Sequence, residues 1–437
     1  MTYQEAVEYL YTQTPLFQNV GQEAYKEGLY NTVTIDRHLG CPHKLFKTIH
    51  VAGTNGKGSV SHTLAAILQA SGLKTGLYTS PHLTDFRERI RVNGKPVSPE
   101  FVVNFIEKNR EFLEPLHPSF FEVTTAMAFS WFADQEVDIA VIETGLGGRL
   151  DCTNIITSVL SVITNIGFDH MKFLGDTLSG IAFEKAGIIK KNVPVVIGED
   201  IPETRTVFER KAEEVGTRIV FAQDNCKIIS HKYFNPSKVV YETAALAALE
   251  SGLAGLCQEK NANTILTTID ELKRKRFEIP ESAIRKGFKD VCRMTGLRGR
   301  WQIVGRKPDI ICDTGHNSHG LKYIAQHLEE LSTKPGFGQL RIVMGMAGDK
   351  DISDVLAIMP RNARYYFTQA SVKRALDAAT LRDMARKAGL TGNIFRNVAL
   401  AVNTAQREAE PNDLIFVGGS TFVVADLLTM PEFFIQG

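Results

Sequence analysis

Residues 48–64 read Thr-Ile-His-Val-Ala, then Gly53-Thr-Asn-Gly-Lys-Gly-Ser59, then Val-Ser-His-Thr-Leu. The first five form the apolar run of a buried strand, and after the glycines Val60, Leu64, Ile67 and Leu68 recur at helical spacing. Strand, glycine loop and helix in that order make a phosphate site. The glycines let the backbone curl so that N–H groups face inward, the helix start adds partial positive charge, and Lys57 can reach the outer phosphates. Thr54, Asn55, Gly56, Lys57, Gly58 and Ser59 would therefore hold a polyphosphate, with the Ser59 hydroxyl placed to ligate Mg²⁺. In the general pattern the hydroxyl residue follows the lysine directly, whereas here Gly58 stands between them. The competing reading is a glycine turn that only joins strand to helix.

Working outward, short apolar runs followed by Gly-rich or polar turns and helical segments recur, as in a mostly parallel sheet covered by helices. The first part of the chain predicts strands over 48–52, 73–78, 138–142, 159–164 and 193–197; the last part predicts 309–312, 341–344, 364–367 and 413–417. Between the sets, MTGLRGR (294–300) has the glycine content and polarity of a linker, which divides the chain into domains 1–295 and 296–437. In open sheets of this kind ligands sit beyond the carboxyl ends of the strands. The chemistry is expected there.

Composition narrows the function classes. The 437 residues are 43% hydrophobic and 23% charged, ordinary globular material with room for two or three domains. Lys plus Arg number 50 and Asp plus Glu 49, so a net charge of +1 gives no reason to expect nucleic acid or an anionic membrane as a partner. MTYQEAVEYLYTQTPLF (1–17) has no basic segment followed by an apolar run, and no uninterrupted apolar stretch of about 18 residues occurs. A cytoplasmic protein is expected, and no exposed apolar stripe asks for an oligomer, so a monomer is expected too. The six cysteines show neither a C-x-x-C pair nor zinc-site spacing and read as reduced, mostly buried thiols.

Two further rim segments carry candidate ligands. The strand 138–142 ends in Glu143 before Thr-Gly-Leu-Gly-Gly-Arg-Leu-Asp151, where a carboxylate can hold a cation against phosphate oxygens or can simply pair with Arg149. The next strand leads to TNIGFDH (164–170), which brings His170 to the same rim as a ligand or as a structural hydrogen-bonding residue. In IAFEKAG (181–187), Glu184 and Lys185 lie on a helix ending at Gly187 and read by default as a solvated charge pair.

Taken together, GTNGKGS (53–59), TSPHL (79–83), FFEVTTAMAF (120–129), ETGLGGRLDCTN (143–154), TNIGFDH (164–170), EKAGI (184–188), DTGHN (313–317) and GDKD (348–351) resemble folylpolyglutamate synthase and dihydrofolate synthase, members of the Mur ligase superfamily. The motifs fall in family order across nearly the whole chain. The resemblance implies an α/β fold: a P-loop ATPase domain with a mostly parallel sheet, plus a smaller Rossmann-like α/β C-terminal domain that carries the glutamate-ligase part. It also implies an ATP-dependent ligase that makes an acyl phosphate of a folate or dihydropteroate carboxylate and joins it to L-glutamate. Two Mg²⁺ ions are implied, with K⁺ a further candidate cation.

Carried over by position, the resemblance makes Ser59 and Glu143 ligands of one Mg²⁺ and His170 with Glu143 ligands of the second. Lys185 matches the family's carbamylated lysine. A free lysine, reference pKa about 10.4, would bring a repelling charge to a metal pair, whereas a carbamate brings a negative oxygen. Forming it requires the neutral amine, which nearby cations favour. Arg300, Asp313 and His316 match positions that reach the nucleotide from the second domain, which would close through the 294–300 linker to keep water from the acyl phosphate. Ser80, Pro81, His82 and Phe121 match the region where the pterin-bearing substrate packs. Three positions depart from the family pattern: DTGHN stands for D-G-A-H-N, Cys152 for an alanine, and YETAALAALE (241–250), the neighbourhood expected to supply the adenine-contacting Asn, contains none. Two rival functions remain, a Mur-type ligase acting on a nucleotide-sugar peptide and a nucleotide switch without ligation. The second has only the P-loop behind it, since no N-K-x-D guanine-reading motif is present.

Overall fold

In the computed structural model, residues 1–14, 28–235, 238–348 and 352–433 are described. Of GDKD only Gly348 lies among them; residues 349–351 fall outside the described residues. The chain forms two compact units. The first comprises Met1–Ser230, Tyr241–Glu250 and Lys260–Gly296, and the second His231–Val240, Ser251–Glu259 and Leu297–Gly437. The second unit thus takes up two segments that precede the linker, whereas the sequence reading placed everything before residue 296 in one domain.

The first unit holds an eight-stranded sheet of β1 (Lys47–Ala52), β2 (Thr75–Tyr78), β3 (Ile90–Val92), β4 (Lys95–Pro96), β5 (Ile139–Glu143), β6 (Leu160–Ile163), β7 (Val195–Ile197) and β8 (Ile219–Phe221). Its order is β4-β3-β2-β5-β1-β6-β7-β8. Strands β2, β5, β1, β6, β7 and β8 run parallel; β3 and β4 add an antiparallel edge. The two central neighbours of β1 are therefore the strands that lead to Glu143 and to the TNIGFDH turn. Apolar side chains line β1, β5, β6 and β7, buried along almost their whole length as expected of a parallel sheet covered on both faces.

The helix Lys57–Ala70 follows β1, and its residues 59–68 are all buried. Helix Glu281–Lys289 packs against it at Gly287, where a Cβ would stand 2.7 Å from the Ile67 Cα. A three-stranded sheet, order β11-β10-β9, is made of β9 (Ile228–Asn235), β10 (Lys238–Thr243) and β11 (Leu249–Ser251).

The second unit holds a six-stranded sheet of β12 (Gln302–Gly305), β13 (Asp309–Cys312), β14 (Leu340–Met344), β15 (Arg364–Phe367), β16 (Gly392–Ile394) and β17 (Leu414–Gly418). The order is β12-β13-β17-β14-β15-β16, parallel except for the β12–β13 pair. Buried Arg341 anchors this sheet, donating to Asp413 Oδ2 at 2.8 Å and to the Tyr366 hydroxyl at 2.7 Å.

All six cysteines are free thiols, but only Cys312 is buried, which corrects the expectation of mostly buried thiols. Cys226 and Cys292 are exposed because one lies in the turn before β9 and the other on the short helix Val291–Thr295. Among the described residues, no helix is long and apolar enough to cross a membrane.

Candidate active site

The phosphate loop is held by the neighbouring strand's turn. Thr54 N donates to Asn165 O at 3.0 Å and Asn55 N to Asn165 Oδ1 at 2.9 Å, while Thr164 Oγ1 donates to Asn55 O at 2.6 Å. The Thr54 hydroxyl donates to Gly167 O (3.1 Å) and accepts from Gly167 N (3.0 Å). The amides of Thr54 and Asn55 are thus committed to shaping the loop. The first turn of helix Lys57–Ala70 presents N–H groups that have no carbonyl inside the helix to meet, an arrangement that suits an anion. Gly56 caps that helix at φ 82°, and Gly53 has φ 148° with the site of a Cβ 1.9 Å from Thr164 Oγ1. Gly53→Ala is therefore expected to lose about 2–4 kcal/mol of stability and to abolish nucleotide binding, measured by chemical denaturation and by titration with ADP.

Two lysines converge on one carbonyl. Lys57 Nζ donates to Gly53 O at 3.0 Å and to Thr54 O at 3.2 Å, and Lys185 Nζ donates to the same Gly53 O at 2.9 Å. Lys185 is only 4% exposed, so the default of a solvated pair fails. Its neighbour Glu184 turns outward to pair with Arg149, Nη2 to Oε1 at 2.9 Å. Burial, and then the charge of Lys57, bring the Lys185 ammonium down to a pKa of about 7, against the pull of Asp169 and Asp151. Asp169, part of the TNIGFDH segment but given no role there, accepts at Oδ1 from His170 N at 2.9 Å and lies 3.9 Å from His170 Nε2.

Glu143 is the last residue of β5, in register with Val51 of β1, and is 2% exposed. The next residue, Thr144, buries an Oγ1 that makes no hydrogen bond among the described residues. No group of three or more His, Cys, Asp or Glu side chains that could hold a metal comes together among the described residues. The buried Glu143 carboxylate and the buried Ser59 hydroxyl are a sparse set of hard oxygen donors. That set fits Mg²⁺, which is usually held by one or two carboxylates with water and phosphate oxygens completing its shell.

The TSPHL segment is built on Glu88 and Arg89, neither of which stood out in the sequence. Glu88 Oε2 accepts from Leu83 N, and its Oε1 accepts from Thr84 N, the Thr84 hydroxyl and Asp85 N. Buried Arg89 donates Nε to His82 Nδ1 at 2.8 Å and lies 5.2 Å from the Phe120 ring centroid. An arginine can only donate, so His82 Nδ1 is the acceptor and the ring is neutral; burial first, then Arg89, lowers its pKa to about 3. Ser80 precedes a cis peptide bond to Pro81. Phe121 is the second residue of helix Phe120–Asp134, its ring 5.7 Å from that of Tyr78 and packed against Gly145.

In the second unit, Asp313 Oδ2 accepts from Trp301 N (2.7 Å) and its Oδ1 from Gly315 N (2.8 Å). Burial raises the Asp313 pKa, opposed by Arg300 and, more weakly, His316. The structure thus gathers Arg300, Asp313 and His316. Asn317 caps helix Ser318–Ser332 by accepting from Gly320 N at 2.8 Å.

Residues 51–265 match the family model for the Mur ligase middle domain, and 299–421 the model for the Mur ligase glutamate ligase domain. The dihydrofolate synthase/folylpolyglutamate synthase of Bacillus subtilis (strain 168) is 30% identical over 419 residues, covering 92% of this chain and 94% of that protein. The chain belongs to this family of Mur ligases. A probable bifunctional folylpolyglutamate synthase/dihydropteroate synthase of Haloferax volcanii is 31% identical over 98% of the chain, which spans only 50% of that longer protein. Among solved structures, E. coli FolC in complex with DHPP and ADP superposes with a TM-score of 0.82 at 29% identity, covering 98% of this chain and 97% of that one.

Two outcomes bear on the Mur ligase expectations. The 241–250 segment supplies no asparagine, but Asn261, on helix Gln258–Arg274, reaches the phosphate loop: a Cβ on Gly56 would stand 2.3 Å from its Oδ1. The available signal was polar residues on the inner face of that helix, where Asn261, Asn263, Thr264, Thr267 and Thr268 are all buried. Thr153 and His50 form a second unforeseen pair, joined at 2.8 Å beneath the ETGLGGRLDCTN loop.

Proposed function

We propose that this chain joins L-glutamate to the free carboxylate of a pterin-bearing acid, dihydropteroate or a folate, with ATP as phosphoryl donor and an acyl phosphate between. A carboxylate and an amine form only a salt at neutral pH, so the hydroxide-like oxygen must first become a leaving group. The acid's carboxylate oxygen attacks the γ-phosphorus and ADP departs; the glutamate nitrogen then attacks the acyl carbon, phosphate leaves with the carbon–oxygen electrons, and the nitrogen gives up a proton. Lys57 neutralises charge on the phosphoryl oxygens, which requires its Nζ to leave the Gly53 and Thr54 carbonyls. Ser59, Glu143, His170 and Lys185 as a carbamate would hold two Mg²⁺ ions, whose chemistry when bound is to offset negative charge on the transferring group. Arg300, Asp313 and His316 are assigned to the nucleotide, supported by their gathering within the second unit. Ser80, Pro81, His82 and Phe121 are assigned to the acid.

The observation that carries the reading is the convergence of Lys57 and buried Lys185 on the Gly53 carbonyl. A nucleotide switch needs the first lysine alone. A second lysine, buried and with its pKa near 7, is an amine able to take up CO₂ where a cation pair needs an anionic ligand.

The test is ADP release with ATP and L-glutamate, supplying dihydropteroate and tetrahydrofolate in separate reactions. Glutamate-dependent release with either acid is expected. Release with neither acid would favour a nucleotide-sugar peptide substrate, and release without glutamate a switch. We further place the protein in the cytoplasm as a monomer acting on small molecules, in keeping with its balanced charge; light scattering should give the mass of one chain.

A further inference from the structure

His50 sits in the middle of β1, in register with Ile142 of β5 and Ser161 of β6, and is 1% exposed. A histidine at that depth must meet a polar partner, and its Nε2 lies 2.8 Å from Thr153 Oγ1. The Thr153 hydroxyl is itself 2.5 Å from Asp151 Oδ1. A hydroxyl has one proton, and the carboxylate can only accept. Thr153 therefore spends its proton on Asp151, and His50 must donate from Nε2. Burial holds the ring neutral, with a pKa of about 3, in keeping with a single-proton tautomer.

Asp151 is the hub of this relay. Its Oδ1 also accepts from Thr153 N at 3.0 Å, and its Oδ2 accepts from Gly145 N and Leu146 N, both at 2.8 Å. The carboxylate thus fixes the first turn after Glu143. Gly145 in turn lies flush beneath the Phe121 ring: a Cβ there would stand 2.5 Å from Phe121 Cζ, and the Tyr78 ring lies 5.7 Å away, centroid to centroid. A shift of the Gly145 backbone must move Phe121 or clash with it.

We propose that His50 and Thr153 are positioning residues, a buried imidazole-to-hydroxyl-to-carboxylate relay from the phosphate-loop strand through Asp151 that sets the Gly145 turn and hence the Phe121 face for the acid substrate. The proposal rests on the assignment of Phe121 to the acid. It makes the affinity for the acid depend on a hydroxyl that touches no substrate.

The test compares wild type, Thr153→Val and Thr153→Ser in steady-state kinetics, with the acid and ATP varied separately. Thr153→Val is expected to raise KM for the acid about tenfold. KM for ATP should stay within about twofold, and Thr153→Ser, which keeps the hydroxyl, should restore the wild-type value. A merely structural role would not separate the two KM values. An unchanged KM for the acid in folded Thr153→Val, an equal rise in both, or failure of Thr153→Ser to rescue overturns the proposal. Independently of activity, ¹⁵N-histidine NMR of the intact protein should show a slowly exchanging Nε2–H on His50, assigned by its loss in His50→Gln. Thr153→Ser should retain that signal at its place. Should Thr153→Val not fold, the wild-type spectrum decides, since an Nδ1-protonated His50 ring is incompatible with the relay. If wild type turns over neither acid, the functional reading falls while the spectrum still tests the relay.

Discussion

Lys57→Ala is expected to lower kcat by roughly 10³-fold or more, about 4 kcal/mol of transition-state stabilisation, with little change in thermal stability. Among the described residues its ammonium bonds to carbonyls of its own loop, Gly53 and Thr54, rather than to a distant element. The loop is held instead by Asn165, Thr164 and Gly167, and those bonds survive the substitution. What disappears is the cation proposed to neutralise charge on the phosphoryl oxygens during transfer. The measurement is glutamate-dependent ADP release, alongside the melting temperature. A folded variant that keeps most of its turnover would remove phosphoryl transfer at this loop from the proposal.

The second large effect falls at Lys185. Lys185→Ala should also lose about 10²–10³-fold in turnover, because it removes a proposed anionic ligand at the same place. Here the variants discriminate. Lys185→Arg keeps a positive charge and a donor for the Gly53 carbonyl but cannot form a carbamate, so it should be as inactive as the alanine variant. A short carboxylic acid added to Lys185→Ala would occupy the vacated space and restore part of the activity. Intact mass under native conditions should show the increment of one CO₂ on wild type and none on either variant. Full activity of Lys185→Arg would refute the carbamate, leaving a lysine that acts through its charge.

Much of this was legible because fully buried parallel strands are written as continuous apolar runs. The predicted strand 48–52 corresponds to Lys47–Ala52, 138–142 to Ile139–Glu143 and 364–367 to Arg364–Phe367. Strands at sheet edges left no such trace: Ile219–Phe221 is only partly buried, and Lys95–Pro96 is exposed and ends in proline. The β9 and β10 segments alternate or mix polar residues, IISHKYFN and KVVYET, so they lack the continuous apolar run that marks a parallel core strand. Within the site, Glu143 and Lys57 announced themselves by position beside glycines. Lys185 did not, because a charged residue next to another charge reads as solvent-facing until the fold shows Glu184 pointing out and Lys185 in. His50 was hidden by its setting, a polar ring inside a run that is otherwise the interior of a strand. Asn261 meets the phosphate loop across a helix–loop contact, and Asp151 holds backbone amides of its own loop, neither of which single-chain patterning encodes.

The clamp on the phosphate loop bears on portability. Asn165, which takes the amides of Thr54 and Asn55, lies 110 positions beyond Asn55 in sequence and donates onward to Glu199, itself paired with Lys260. Transplanting residues 47–70 into another parallel sheet would carry every letter of the motif and leave its mould behind. A graft that also brought the 164–167 turn on the adjacent strand would be the smallest one expected to keep the loop's shape.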